Sequence, residues 1–281
     1  MSKELSPGVD PGSPDLFPDG DYRFHLTLRR GDPRAFFAPQ DPTGRVLAER
    51  ARWLASEPHR YAALMPEGEP LVREFGAMVA SWKLGASTGG RMPLAHARGH
   101  ELLFTLGRSL EPDILLLSPD REGVIWLRGG ALCFPTGWAL EEKMGRSMEV
   151  IHGVVPGLNA ALGPAIQQVL SKLKPGVAFL RDNWGLAATD ELNLHPARAV
   201  PPPAAPVALD RLWLRVEHQA LVALPQAAGL VFGIRIALHR LDRIAGTAAA
   251  AGLRRGLATM PAEVAAYKRL DGIRARVIEL L

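Results

Sequence analysis

His152 is the histidine whose sequence surroundings best suit a metal ligand. It lies in an apolar segment, residues 150–156, just before a long amphipathic stretch. An imidazole in an apolar environment loses hydration and is favoured in its neutral form, which is a good ligand for haem iron. A core histidine bonded to a backbone carbonyl would show the same pattern, and the spacing by itself favours that second interpretation.

Three arginines, Arg181, Arg215 and Arg235, fall on three consecutive predicted strands. A buried guanidinium needs an anionic partner, and its planar fork suits carboxylates such as haem propionates or an acidic substrate. Pairing with Glu217 or Asp182 inside the protein, or simple exposure on the outer face of a sheet, explains the same residues equally well.

Other side chains are weaker candidates for binding a metal. His96 and His100 are four residues apart and could share a helix face, although the residues between them favour a loop. Cys133 lies on a predicted strand, where a small buried packing residue is a better interpretation than a thiolate ligand of haem.

The composition argues against several classes of protein. The 281 residues carry a formal net charge of +4 with basic and acidic residues interspersed, so a nucleic-acid footprint is not expected. The single cysteine cannot form an intrachain disulfide or hold an iron–sulfur cluster, and it fits a reducing compartment. The sequence contains no nucleotide-binding glycine motif, no HExxH zinc motif and no GxSxG elbow.

The N-terminal residues lack the apolar region typical of a signal peptide. Residues 1–21 are rich in Pro, Gly, Asp and Ser, which predicts a flexible tail rather than a signal peptide. No apolar stretch of the sequence is long enough to cross a bilayer. We therefore expect a cytoplasmic protein with neither a membrane nor a nucleic-acid partner.

The elements that would position the candidate residues divide the remaining chain into three parts. A mainly helical N-terminal region is predicted at 22–112, a mixed core at 113–240 and a C-terminal helical segment at 241–281. At the start of the core, Gly129 and Gly130 predict the tight turn of a hairpin, because glycine tolerates positive φ.

A helical stretch follows the hairpin, with apolar residues on one stripe from Leu158 to Leu173. Three alternating segments come next, at 177–184, 212–218 and 230–238, and they predict antiparallel strands. A hairpin, a helical middle and three strands form the layout of an α+β, PAS-like fold. In such a fold an antiparallel sheet and the middle helices enclose a cofactor-sized cavity.

Several ordered blocks between about residues 120 and 240 carry a more specific signal. They are FPTGW at 134–138, EKMG at 142–145, IHGVVPG at 151–157, RDNW at 181–184, LWLRVEHQ at 212–219, LP at 224–225 and FGIR at 232–235. In these blocks the sequence resembles the haem-dependent oxidative N-demethylase family, alpha-subunit-like.

The resemblance implies a PAS-like fold that holds haem b, activates O2 and oxidises a small secondary amine such as dimethylamine to formaldehyde and the shorter amine. Electrons in this family come from an external flavin/iron–sulfur reductase. The resemblance also implies site roles. His152 would ligate iron, and the three arginines would neutralise the propionates. Glu217 and His218 are the catalytic candidates, and Glu217 would bind an ammonium group or relay protons. His195 is the reserve ligand.

The sequence departs from the family at two places. His218 stands where the family has arginine, and residues 233–237 replace a hydroxyl-bearing pattern by a smaller, more apolar one. If these positions line the pocket, the substrate differs from dimethylamine. A haem-binding sensor or carrier without turnover, and a cofactor-free interaction domain, are the alternative functions.

Overall fold

A seven-stranded sheet carries the residues singled out above. The computed structural model describes residues 16–18, 20–84, 97–170 and 173–281, with the side chains of residues 167 and 170 left aside. Within these ranges the strands are β1 (Arg29–Gly31), β2 (Ala62–Leu64), β3 (Asp113–Pro119), β4 (Ile125–Ala131), β5 (Ala178–Ala187), β6 (Trp213–Leu224) and β7 (Gly229–Arg240).

The strands run in the order β1-β5-β6-β7-β3-β4-β2, and every pair is antiparallel. The prediction of three neighbouring antiparallel strands after the helical middle is therefore confirmed for β5, β6 and β7. Two further strands, β1 and β2, come from the N-terminal region and occupy the two edges of the same sheet.

Helices surround this sheet, and the α+β prediction is confirmed. In the described ranges they are α1 (Pro33–Phe37), α2 (Arg45–Ser56), α3 (Pro58–Tyr61), α4 (Glu69–Ser81), α5 (Gly99–Ser109), α6 (Leu140–Lys143), α7 (Met148–His152), α8 (Leu158–Leu170), α9 (Leu241–Ile244), α10 (Ala248–Thr259), α11 (Ala262–Tyr267) and α12 (Arg274–Leu280). None of the described helices combines the length and the apolar character needed to cross a membrane.

The predicted glycine turn was wrong. Gly129 and Gly130 lie inside β4, and the chain reverses instead near Asp120, whose carboxylate accepts hydrogen bonds from two backbone N–H groups of the turn. A Cβ on Gly130 would approach the carbonyl oxygen of Ile114 to 2.7 Å, and one on Gly129 would approach Leu64 to 2.6 Å. These glycines therefore permit a close approach of neighbouring chain rather than a positive φ.

Strand alternation separates the candidate residues onto two faces of the sheet. Arg181, Arg215 and Glu217 project to one face, which we call the Glu217 face. Asp182, His218 and Arg235 project to the other, the His218 face.

The His218 face carries apolar packing from α1 and from the helices that follow β7. Phe36 and Phe37 lie against Gly233, where an added Cβ would meet them at 2.7 and 2.8 Å. Farther along, Leu214 and Val216 are buried with the helices that follow β7.

A buried ion pair fixes the backbone just before Thr136, whose side chain contacts Glu217. Arg50 from α2 donates to Asp113 at the start of β3 at 2.5 Å, and neither side chain is exposed. The same carboxylate accepts from the backbone N–H groups of Cys133 and Phe134 at 2.6 and 3.0 Å. Because a buried charge pair of this kind tolerates little displacement, it holds the segment before Thr136 in place.

Part of the predicted N-terminal tail packs against the C-terminal helices. Residues 1–15 and 19 lie outside the described residues. Leu16 is buried, and the ring of Phe17 lies 5.3 Å from that of Trp184.

Two cavities, of about 40 and 400 Å³, lie beside Trp184 and beside α10, and neither is lined by His152 or Glu217. The PAS-like arrangement and the enclosed cofactor cavity therefore stay predictions.

Candidate functional site

The Glu217 carboxylate is held by three neutral donors. Thr136 Oγ1 donates to Oε1 at 2.6 Å, while Asn183 Nδ2 and Gln219 Nε2 donate to Oε2 at 3.2 and 2.9 Å. Asn183 is the cross-strand partner of Glu217, and Gln219 lies two residues along on the same face. An ionised carboxylate has about four acceptor positions, so at least one remains for a ligand.

Arg215 is held by hydrogen bonds to other parts of the fold. Its Nε donates to Thr136 Oγ1 at 3.0 Å, and its two terminal nitrogens donate to three backbone carbonyls, those of Phe134, Glu191 and Leu192, at 2.7–3.3 Å. Burial lowers the pKa of Arg215 to about 10, so the group stays protonated at neutral pH. Because its nitrogens already donate to the protein, the structure favours an internal role over a propionate contact.

Arg181 is the cation of the Glu217 face that keeps its donors available. It lies opposite Gln219 in the β5–β6 register and therefore diagonally across from Glu217. Burial lowers its pKa, and the negative charges of Glu217 and Asp182 raise it in part. Across the described residues, no hydrogen bond or ion pair engages its guanidinium.

Arg235 does not join the other two arginines. Its guanidinium forms a buried ion pair with Glu111 on the His218 face and donates to the carbonyls of Phe36 and Ala38 at 2.7 and 2.9 Å. The three arginines therefore do not form the expected fork, because Arg235 lies on the face opposite to Arg181 and Arg215. Its contacts connect β7 to α1.

His152 ends α7 and is partly buried. Burial lowers its pKa from the ordinary 6.5 to about 4, and the positive charge of Arg181 lowers it further in the same direction. The imidazole is therefore neutral at pH 7 and lies within electrostatic range of Arg181. Across the part of the chain that the structure describes, no backbone carbonyl or other group is hydrogen-bonded to its ring.

His218 and Glu217, the two catalytic candidates, lie on opposite faces of the sheet. His218 Nδ1 lies 2.6 Å from Asp182 Oδ1, and Arg29 donates to the other oxygen of that carboxylate at 2.6 Å. His218 Nε2 is buried and has no partner among the described residues. These contacts join β1, β5 and β6 on the face opposite Glu217.

His195, the reserve ligand, and the weaker candidates that the structure describes are engaged or shielded. His195 is buried; its Nδ1 accepts from the N–H of Ala197 at 3.1 Å, and its Nε2 lies 3.2 Å from Glu141. Burial raises the pKa of Cys133 to about 12, which removes its thiolate at neutral pH. His100 Nε2 contacts the carbonyl of Ala62 at 3.3 Å, while His96 lies outside the described residues.

Lys268 is a partly buried lysine that the sequence analysis did not single out. It follows α11, and its Nζ donates to the carbonyl of Trp184 at 2.6 Å and lies 5.3 Å from the Trp184 ring centroid. Burial lowers its pKa to about 8, while the charge of Glu217 raises it and that of Arg181 lowers it. Nothing in the amphipathic pattern of residues 260–281 distinguishes this lysine from a solvated one.

Two features of the described chain, one on β5 and one on α8, fit a large, mostly apolar ligand. A Cβ added to Gly185, the cross-strand neighbour of Arg215, meets nothing within 4 Å. The apolar stripe of α8 also remains partly exposed at Leu158, Leu162 and Val169. A neutral imidazole, an available guanidinium and uncovered apolar surface are the groups that hold a haem.

The comparison with known families agrees with this chemistry. Residues 83–278 match the family model described as haem-dependent oxidative N-demethylase, alpha subunit-like. The match covers more than half of the chain and includes His152, Arg181, Glu217 and Lys268.

Proposed function

Because the chain belongs to the family of haem-dependent oxidative N-demethylases, alpha subunit-like, we propose that it is a haem b oxidoreductase that removes an N-methyl group from a small amine. The observation that carries this proposal is the family match over residues 83–278, which includes both His152 and Arg181. An iron porphyrin needs one protein nitrogen as an axial ligand and cations beside its propionates.

In this proposal His152 holds the iron. Its low pKa leaves one ring nitrogen unprotonated and able to ligate iron across the physiological pH range. Arg181 neutralises a propionate, because it is the guanidinium on the Glu217 face that does not already donate to the protein. Arg215 and Arg235 support the site from within the fold.

Glu217 binds the amine. Its carboxylate is oriented by Thr136, Asn183 and Gln219 and retains an acceptor position for an ammonium or amine N–H. This contact would hold the N-methyl group in a fixed orientation, and the same oxygen can take up a proton that the amine releases.

The haem supplies the oxidation when it is bound, using O2 and electrons from an external flavin/iron–sulfur reductase. A separate reductase is required in this proposal because the chain has a single cysteine, which is buried and cannot hold a cluster. The protein contributes binding, orientation and electrostatics.

Absorption spectroscopy of the purified protein, titrated with haem, tests the proposal. We expect a Soret band typical of an imidazole-ligated haem, which shifts or is lost in His152→Ala and persists in His59→Ala, a change at an exposed histidine. A band unchanged in His152→Ala would overturn the ligand assignment.

Turnover is tested with the haem-loaded protein, a chemical reductant, O2 and a panel of N-methyl amines. Formaldehyde formation coupled to oxygen uptake is the expected result. Haem binding without formaldehyde from any amine would support the sensor or carrier function in place of catalysis.

A further inference from the structure

The Thr136 hydroxyl connects a buried guanidinium to a carboxylate. Arg215 Nε donates to Thr136 Oγ1 at 3.0 Å, and Thr136 Oγ1 donates to Glu217 Oε1 at 2.6 Å. A guanidinium can only donate and an ionised carboxylate can only accept, so these two neighbours fix the direction of the hydroxyl hydrogen. Both hydrogen bonds involve a charged group, which makes them stronger than bonds between neutral groups. The Thr136 hydrogen therefore points to Glu217 and away from Arg215.

The backbone on either side of Thr136 is held by one residue of a distant segment. The N–H of Leu194 donates to the carbonyl of Pro135 at 3.2 Å, and the carbonyl of Leu194 accepts from the N–H of Gly137 at 3.1 Å. Thr136 itself is exposed. Its hydroxyl is thus kept at a defined position beside Glu217, at a place that a ligand can reach.

The donors to Glu217 are divided unequally between its two oxygens. Oε2 accepts from Asn183 Nδ2 at 3.2 Å and from Gln219 Nε2 at 2.9 Å. Among the residues that the structure describes, Oε1 accepts from Thr136 alone. A carboxylate has about four acceptor positions, two on each oxygen. The position that stays open is therefore on Oε1, the oxygen that Thr136 holds.

The open position calls for a donor. The two amides and the hydroxyl all donate to Glu217, so the carboxylate acts as an acceptor wherever the protein contacts it. Glu217 is only half-buried, and a ligand on the same face can approach its side chain. A ligand that brings an N–H bond and a positive charge matches the remaining acceptor in both hydrogen bonding and charge.

We propose that Thr136 is a positioning residue for Glu217 and that the open position on Oε1 selects an ammonium ion with at least one N–H bond. This inference rests on the proposed role of Glu217 in binding the amine. Without the Thr136 hydroxyl, the carboxylate would be held through Oε2 alone and Arg215 Nε would lose its acceptor. The orientation of Oε1 towards the ligand would then no longer be fixed.

The open position distinguishes ions of equal charge. Dimethylammonium and trimethylammonium each carry an N–H bond that Oε1 can accept, whereas tetramethylammonium carries none. A hydrogen bond to a charged group contributes more than one between neutral groups. The site therefore accepts N-methyl amines in their protonated form and rejects quaternary ammonium ions.

Calorimetric titration with the chlorides of trimethylammonium and tetramethylammonium at pH 7 tests the inference without any turnover. Thr136→Val keeps nearly the same shape and removes the hydroxyl, while Thr136→Ser keeps the hydroxyl. Thr27→Val, at another exposed threonine, is the matched control, and Glu217→Gln tests the carboxylate itself. Each protein is titrated with and without added haem, and circular dichroism verifies that each variant is folded.

We expect the wild type to bind trimethylammonium at least about tenfold more tightly than tetramethylammonium, because only the first ion can donate to Oε1. Thr136→Val should bind trimethylammonium at least about fivefold more weakly and show a smaller preference between the two ions. Thr136→Ser and Thr27→Val should resemble the wild type. A change in this preference that Thr136→Ser reverses is a result that a merely structural threonine would not produce.

The inference is overturned if folded Thr136→Val keeps the wild-type affinity and preference while Glu217→Gln weakens binding, because Glu217 would then act without Thr136. It is also overturned if Thr136→Ser is as impaired as Thr136→Val, or if the wild type binds the two ions equally tightly, a comparison that needs no variant. A wild type that binds neither ion, or a Glu217→Gln protein that binds them as the wild type does, defeats the proposed role of Glu217 and this inference with it.

Discussion

Glu217 and His218 are adjacent in β6, and their side chains lie on opposite faces of the sheet. The first belongs to a polar cluster with Thr136 and Asn183, and the second to an ion-paired contact with Asp182 and Arg29. Substitutions at the two positions should therefore have different consequences.

We expect Glu217→Gln to retain the Soret band of the haem-loaded protein and to lower amine turnover by at least about tenfold, because the negative charge that would pair with the ammonium and take up its proton is lost. His218→Gln should leave turnover nearly unchanged and lower the free energy of unfolding by about 1–2 kcal/mol, because one buried hydrogen bond is altered. Formaldehyde assays and urea unfolding measure both effects. Equal losses of turnover in the two variants would contradict this assignment.

Arg235 should matter for stability and not for ligand binding. Removing one partner of a buried ion pair leaves an uncompensated charge, so Arg235→Met should lower the free energy of unfolding by about 3–5 kcal/mol. Arg235→Lys should lower it less, since the charge beside Glu111 is kept. Arg211→Met, at an exposed arginine, is the control and should change stability by less than about 0.5 kcal/mol. Urea unfolding followed by circular dichroism measures these free energies. A folded Arg235→Lys protein with greatly weakened haem affinity would argue against a purely structural role for Arg235.

Gly185 gives a steric test of where the ligand lies. Its added Cβ meets open space, so Gly185→Ala should be tolerated with little change in stability or haem affinity. Gly185→Leu extends farther over the Glu217 face and should weaken haem binding by about tenfold or more, while the protein still unfolds cooperatively. Soret titration of the two variants measures the difference. Equal haem affinity in both would place the porphyrin elsewhere.

His152 should make the stability of the haem-free protein depend on pH. Its pKa is about 4 in the folded state and near 6.5 when unfolded, so unfolding takes up a proton between these values. Above pH 6.5 the imidazole is neutral in both states, and His152 does not reduce the free energy of unfolding. Between pH 6.5 and 4 this free energy decreases as the pH falls, because the unfolded state binds the proton more tightly. Since the ring is only partly buried, we expect a loss of about 1–2 kcal/mol between pH 7.5 and pH 5.

His152→Leu should remove this part of the pH dependence. The quantity to compare is the difference in unfolding free energy between the two pH values, measured by urea titration of both proteins. Parallel pH profiles for wild type and His152→Leu would show that the imidazole is solvated in the folded state.

Sequence reasoning succeeded where the signal was local. Alternation in β5, β6 and β7 predicted these strands and their antiparallel arrangement. The ordered motifs between residues 134 and 235 indicated the family, which the match over residues 83–278 confirms.

It failed where one pattern has two physical causes. A glycine pair is typical of a turn, but Gly129 and Gly130 are required because β2 and β3 pass too close for a Cβ. Three buried arginines are typical of an anion site, but Arg215 is satisfied by carbonyls from two distant segments and Arg235 by Glu111. The identity of these partners depends on contacts that no local pattern records.

By itself, the sequence determined the strands β5, β6 and β7, the α+β class, the family and the presence of His152, Arg181 and Glu217 as candidates, because periodicity and ordered motifs are properties of neighbouring residues. The tertiary structure decided which of the candidates share a face of the sheet and which arginines already donate to other groups of the protein. It also decided that Lys268 donates to the backbone of β5. These outcomes depend on long-range pairing, because a side chain's charge state and available donors are set by groups brought to it from elsewhere in the chain.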